Sequence, residues 1–207
     1  MVQNANGKLT NHGIKLVTCV IRAGNLYGEK TDHLLQSYIN AKSGNNKINY
    51  IGPETIEQNY TYVGNVAWMH VLAARQLQLK PELMEGQVYY AYDDTPLRQQ
   101  HNLLFDLYKD VDPGIQLGSR IPYWKIWLIV NVYNFIAFLL SPFWSIKKFL
   151  TTSILNYMVT TFSYETDKAF RHFGYQPKYS WPEAKLRTCK WLKCASDSSK
   201  EDQNVKN

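Results

Sequence analysis

Lys15-Leu-Val-Thr-Cys-Val-Ile-Arg-Ala-Gly-Asn-Leu-Tyr-Gly28 is the stretch on which the fold turns. Lys15 to Ile21 is a β-branched-rich apolar run of the length expected for a buried strand. Gly13 precedes it, and Gly24 and Gly28 follow it, as turn punctuation. Upstream, only Val2, Ala5 and Leu9 are apolar, a pattern like the last turns of a helix that begins earlier. A helix end followed by a central strand predicts a chain that opens part-way through a fold.

Downstream, the apolar positions keep alternating between two periods. Leu34, Leu35, Tyr38 and Ile39 predict a helix over 33–41, and Lys47 to Ile51 a short strand stopped at Gly52-Pro53. Val66, Ala67, Met69, His70, Ala73, Ala74 and Leu77 recur at three and four residues, which predicts a helix over 63–78 with Asn65 near its start as a cap. Gln87 to Tyr92 predicts a strand, and Leu97 to Tyr108 a helix entered through Thr95 and Pro96. Strands alternating with helices give an α/β layered fold.

Ile126 to Trp144 is different: nineteen residues whose apolarity is broken only by Asn131, Asn134, Ser141 and Pro142. That is about the length of a membrane-spanning helix. Lys125 precedes it, Lys147 and Lys148 follow, and Trp124, Trp127 and Trp144 lie near its ends like interfacial anchors. Three readings remain: a single span, an interfacial or re-entrant helix, and an apolar cap over a substrate pocket. Beyond it, a helix is expected near 166–173. Ser180, Pro182 and Glu183 then form a capping-box pattern that opens a last one. From Cys194 onward the residues are polar and are expected to be disordered.

Composition narrows the partners. The chain has 207 residues, 45% of them apolar, and the formal net charge is +6. Residues 146–193 hold nine of the basic groups against three acidic ones, directly after the apolar stretch. That placement favours a membrane surface over nucleic acid. The aromatic share of 14%, with 15 Tyr and 6 Trp, exceeds what a core needs and suits a hydrophobic ligand or a membrane interface. Cys19, Cys189 and Cys194 fit neither a metal spacing nor an even disulfide set, and Cys19 is expected to be buried. No metal site, carboxylate pair or Ser-His-Asp set stands out. The sequon Asn59-Tyr60-Thr61 would matter only in a lumenal protein.

Several stretches, in register, resemble the 3β-hydroxysteroid dehydrogenase/isomerase family of the extended short-chain dehydrogenases. They are Thr18 to Gly28, Tyr62-Val-Gly-Asn-Val-Ala-Trp68, Gly86 to Pro96, Thr161-Phe-Ser-Tyr164, Lys168-Ala169 and Gly174-Tyr-Gln-Pro-Lys-Tyr-Ser-Trp181. The resemblance implies the C-terminal half of a Rossmann-type fold. Residues 1–119 would be the remaining part of an NAD(P)-binding domain with substrate-binding elements. Residues 120–163 would be an apolar membrane-associated segment, 164–193 a C-terminal helical region and 194–207 a disordered tail. It further implies NAD as cofactor and oxidation of a 3β-hydroxyl on a steroid or related lipid in steroid biosynthesis, with Δ5–Δ4 isomerisation. The expected setting is the endoplasmic reticulum or mitochondrial membrane with the catalytic part in the cytosol, and the family also admits a homodimer. A sterol-4α-carboxylate 3-dehydrogenase is a sister reading, and a non-catalytic membrane-associated scaffold the contrasting one.

By the same resemblance, Ala23 and Gly24 would pass beside the nicotinamide and Asn25 would face substrate; the family usually carries Pro where this chain has Ala23. The family's Gly-rich phosphate-binding turn and its catalytic Tyr-x-x-x-Lys would both fall before Met1, so no catalytic residue is assigned within the sequence. Two internal Tyr-x-x-x-Lys matches, Tyr38–Lys42 and Tyr164–Lys168, are expected to be decoys. Tyr62, Tyr89, Tyr90 and Tyr92 read as core or strand-face residues, and Asp93, Asp94 and Arg98 as turn and surface groups.

Overall fold

The computed structural model describes residues 2–52, 56–141, 151–162, 164 and 167–205, with side chains as far as residue 198. In chain order the elements are α1 (Val2–Ala5), β1 (Val20–Arg22), β2 (Asn25–Tyr27), α2 (Asp32–Ser43), β3 (Lys47–Ile51), β4 (Tyr60–Tyr62), α3 (Val63–Leu79), α4 (Pro81–Met84) and β5 (Val88–Tyr90). Then come α5 (Gln100–Val111), β6 (Gln116–Ile121), α6 (Tyr123–Leu140), α7 (Thr152–Met158), α8 (Asp167–Phe173) and α9 (Trp181–Val205). The strands form three parallel pairs, β1 with β5, β2 with β4, and β3 with β6. Parallel pairing needs crossovers, and helices supply them, as the alternation of periods predicts.

The chain divides into two compact units. One comprises 1–36, 59–97 and 163–207; the other comprises 37–58 and 98–162. The core of the first gathers Val66, Met69 and Ala73 of α3 with Met84, Tyr89, Ala91, Ala169, Phe173 and Tyr175. Of the α3 positions that recur at three and four residues, Val66, Met69 and Ala73 are buried and Leu77 is half-buried, whereas Ala67, His70 and Ala74 are exposed, so the buried stripe is narrower than the periodicity suggests. In the second unit Tyr38 and Tyr108 form an edge-on pair with centroids 5.2 Å apart, and Leu103 and Leu107 of α5 are fully buried.

Several expectations need correction. The strand expected from Lys15 exists only as Val20–Arg22, because its ladder with β5 is three residues long. Residues 8–16 instead double back, Gly7 N–H donating to Leu16 O (2.8 Å) and Leu16 N–H to Lys8 O (2.8 Å). Cys19 is half-buried, packed against the first unit's core without being enclosed by it. The tail from Cys194 continues α9 to Val205, as no Gly or Pro after Pro182 interrupts the helix. In the sequon, Asn59 is half-buried and Thr61 is 1% exposed within β4. Trp144, Lys147 and Lys148 lie outside the described residues.

Gly28 shows how tightly the first unit closes. Its φ is +132°, and a Cβ there would stand 2.4 Å from Val63 Cγ1 and 3.0 Å from the Tyr62 ring. Gly28→Ala is therefore expected to cost about 2–3 kcal/mol, from strain plus overpacking. Gly13→Ala, with positive φ but open space around it, is expected to cost about 1 kcal/mol. Denaturant midpoints of the two variants test this, and equal losses would contradict it.

Candidate functional site

In parallel α/β sheets, ligands collect beyond the carboxyl ends of the strands. Here β1 ends at Arg22, β5 at Tyr90, and Ala23-Gly24 makes the turn into β2. Ala23 is exposed, while Gly24 and Asn25 are half-buried. Asn25 opens β2, in register with Tyr60. Ala23 and Gly24 thus form the turn at the carboxyl end of a parallel pair, and Asn25 begins the strand that follows.

The neighbours of that turn escaped the sequence reading. Tyr164 stacks on Tyr90 at 4.7 Å between centroids and 15° between planes. Arg22 holds the far side, its Nη1 donating to Tyr90 Oη at 3.1 Å. A Cβ on Gly24 would lie 3.5 Å from Tyr164 Cε2 and 3.6 Å from Asn59 O, ordinary contacts that nonetheless leave little room for anything larger. Asn59 Oδ1 is buried without a hydrogen-bond partner. A close-approach glycine beside stacked aromatic rings suits the nicotinamide end of NAD, for which Ala23, Gly24 and Tyr164 would be the holding residues. The sequence signal for Tyr164 is its place in the family-like stretch Thr161-Phe-Ser-Tyr164, and its role here lies in its ring and not in its Tyr-x-x-x-Lys spacing with Lys168. Lys168 itself donates to Val88 O (3.1 Å) and lies over the Tyr89 ring. In the second unit, Tyr38 is buried and Lys42 pairs with Asp112.

Farther along the same strands, a polar lattice holds the turn in place. Asn65, 0% exposed, is the third residue of α3 and not its cap. Its Nδ2 donates to Asp93 Oδ2 (3.0 Å) and Tyr179 O (2.8 Å), and its Oδ1 accepts from Tyr179 N–H (2.8 Å). Asp93, expected at the surface, accepts from Tyr62 N–H (2.7 Å) and Thr95 N–H (2.9 Å), so a carboxylate from the distant turn serves the start of α3. Arg98 pairs with Asp106. Tyr62 Oη donates to the Glu29 carboxylate (2.7 Å), and Arg187 Nε donates to both Tyr62 Oη (2.9 Å) and Glu29 (3.2 Å). Burial, reinforced by Glu29, pushes Tyr62 up to about 12, against the pull of Arg187. Burial pushes Tyr89, which sits 2.9 Å from His172 Nδ1, up to about 12.

The second unit contains a cleft of about 330 Å³ lined by residues that include Ile48, Tyr50, Ile56, Gln99, His101 and Met158. Tyr50 and His101 stack there at 4.0 Å. None of its lining residues belongs to the 23–25 turn. Among the described residues, no three His, Cys, Asp or Glu gather as metal ligands would.

The sequence profile described as the 3-beta hydroxysteroid dehydrogenase/isomerase family matches residues 1–123, which include the 23–25 turn and the Asn65–Asp93 clamp. The chain belongs to that family. The human "3 beta-hydroxysteroid dehydrogenase type 7" is 36% identical over 202 residues, covering 96% of this chain and 54% of that protein. The mouse protein of the same name is 34% identical over 203 residues, covering 97% and 54%. The chain therefore spans about half the length of these curated relatives. Among solved structures, a UDP-glucose 4-epimerase from Thermotoga maritima superposes with a TM-score of 0.55 at 17% identity, covering 87% of this chain and 47% of that one. That likeness is one of fold alone, and the fold is α/β of the Rossmann type.

Two measurements probe this lattice. Asn65→Ala leaves Tyr179 N–H and O without their buried partner and is expected to cost about 2–3 kcal/mol in denaturant unfolding. Tyr62 and Tyr89 stand near 12 in the fold against an ordinary 10, so the fold favours their neutral forms. Their stabilisation is full below pH 10 and is lost as pH rises toward 12. The unfolding midpoint should fall across that window, and less steeply in Tyr62→Phe; a midpoint rising with pH would contradict the assignment.

Proposed function

We propose that this chain supplies the nicotinamide-facing turn and substrate-side elements of an NAD-dependent oxidoreductase acting on the CH–OH group of a steroid or related lipid. The observation that carries the proposal is the Ala23-Gly24-Asn25 turn at the carboxyl ends of β1 and β5, in a chain of this family. NAD, when bound, accepts the hydride of the alcohol carbon. Ala23 and Gly24 let the backbone approach the ring closely, Tyr164 on Tyr90 gives it a flat wall, and Asn25 faces the substrate. The proposal includes Δ5–Δ4 isomerisation and a place in steroid biosynthesis.

Helix α6 supports the lipid-like substrate. It is long and apolar enough to cross a membrane, and Trp124, Ile129, Phe135 and Phe138 are each more than 60% exposed. A membrane-docked enzyme meets a substrate that partitions into bilayers. We place the protein on the endoplasmic reticulum membrane with its catalytic part in the cytosol.

A second reading has its own observation. The glycines of the 207 residues fall in no G-x-G-x-x-G spacing, and the two Tyr-x-x-x-Lys pairs are engaged elsewhere. Residues 1–207 acting alone would then be a non-catalytic, membrane-associated scaffold. The readings separate by NADH absorbance with a panel of 3β-hydroxysteroids. Purified residues 1–207 are expected to give none, and turnover by them would remove the scaffold reading. A chain that also carries the family's Gly-rich turn and Tyr-x-x-x-Lys ahead of these residues is expected to turn over, and Gly24→Val to lower its kcat/KM roughly tenfold or more by displacing the ring. An unchanged kcat/KM in that variant would remove the turn from the cofactor site.

A further inference from the structure

Taking the membrane association proposed above as the starting point, we infer that α6 enters one leaflet of a lipid bilayer and that the chain returns to the side from which it came, so that α6 does not span. Two independent constraints lead there. The first is parity. The first unit is stitched from residues on both sides of α6 in sequence: Asn65 holds Tyr179, the Tyr27 ring meets Trp181 at 5.8 Å, and Glu29 pairs with Arg187. A single crossing would put the members of each pair on opposite faces of the membrane. An odd number of crossings is therefore excluded.

The second constraint is length. At 1.5 Å per residue the 18 residues of α6 extend about 27 Å, close to the roughly 30 Å of a hydrocarbon core. A second crossing would have to begin after Ser141. Yet Tyr123, the first residue of α6, donates through its Oη to Asn156 Oδ1 at 2.5 Å, so the chain is back beside the start of α6 by Asn156. It is then fixed to the second unit, with Gln58 Nε2 donating to Tyr157 O and Thr160 O (3.0 Å each) and Phe162 N–H to Glu57 O (2.9 Å). Residues 142–155 number fourteen, against about 20 for a spanning helix. A shorter, extended return through hydrocarbon would leave backbone N–H and C=O groups unpaired at several kcal/mol each.

What remains is a one-sided wedge. Tyr123, Ile126, Val130, Asn134 and Ala137 form the more enclosed stripe of α6, and Val130 and Ala137 are buried. The rest of the circumference presents Trp127, Leu128, Val132, Phe135, Ile136 and Leu139 outward. Asn131 satisfies its own amide on Trp127 O at 2.7 Å, which suits an apolar medium. At the entry end Lys125 Nζ lies 5.6 Å from the Trp124 ring centroid, a pairing suited to the headgroup layer.

The test uses the full 207-residue chain with Cys19→Ala, Cys189→Ala and Cys194→Ser, added to preformed phosphatidylcholine–phosphatidylserine vesicles. Single cysteines are introduced as Ser119→Cys, Ser141→Cys or Ser198→Cys, at three exposed positions before α6, at its end and on α9. Flotation reports binding, and a membrane-impermeant maleimide reports sidedness. The expected result is flotation with all three sites labelled from outside before any detergent. Flotation with Ser141→Cys labelled only by maleimide enclosed in the vesicle lumen would mean that α6 spans, and would overturn this inference while leaving the membrane reading intact. Protection of Ser198→Cys alone would mean an odd crossing and would overturn it likewise. Failure to float would remove the membrane reading itself and this inference with it, leaving α6 to a protein partner or to a cap over substrate.

Discussion

The side chain of Asn65 joins three parts of the chain that are far apart in sequence. From inside α3 it binds the Asp93 carboxylate after β5 and both backbone groups of Tyr179 before α9. With the side chain 0% exposed, each of these polar groups depends on the others, since water cannot substitute for a lost partner. Asp93 passes the constraint on through Tyr62 N–H to the start of α3, and Tyr62 passes it through its hydroxyl to Glu29 and Arg187. The 23–25 turn lies between β1, held by β5, and β2, held by β4. A fixed α3 thus means a fixed turn.

The same constraint explains the tyrosine content better than composition did. By composition the aromatic excess suits a ligand or a membrane, but Tyr27, Tyr62, Tyr89, Tyr108 and Tyr175 are all essentially fully buried. Each brings apolar area to a core, and each hydroxyl has a partner: Thr95 for Tyr27, Glu29 for Tyr62, Ser37 for Tyr108 and the Tyr92 carbonyl for Tyr175. Gly64 belongs to this packing, because a Cβ there would stand 2.5 Å from Tyr62 Cε1 and 3.1 Å from the Tyr179 ring. The tryptophans of α6 behave otherwise, with Trp124 and Trp127 exposed on a helix whose apolar surface is uncovered.

What was legible in the sequence was what depends on local periodicity. The three-and-four spacing placed α3 within a residue at each end, and β3 and α8 lie where the apolar runs put them. What was not legible depends on partners distant in the chain. The length of β1 is set by β5 and not by its own β-branched run. Asn65 looked like a cap because Asn near a helix start usually is one, but its partner is Tyr179, 114 residues away. Asp93 looked like a turn residue for the same reason. Beside the 23–24 turn, Tyr90 and Tyr164 become neighbours only through stacking across 74 residues. No window along the sequence contains that contact.

Helix α6 and the Asn65 clamp pull the membrane question in opposite directions, and the physical costs decide between them. Leaving ten or so large apolar side chains in water forfeits about 1.5–3 kcal/mol for each that an apolar phase would have taken up. A surface of that kind on a soluble protein calls for a cover. Carrying the helix fully across would satisfy it but would separate Asn65 from Tyr179 and Glu29 from Arg187, dismantling the lattice that holds the turn. The proposed insertion from one side would meet both demands, because lipid would cover the outward face of α6 while neither flank of the chain left the aqueous side.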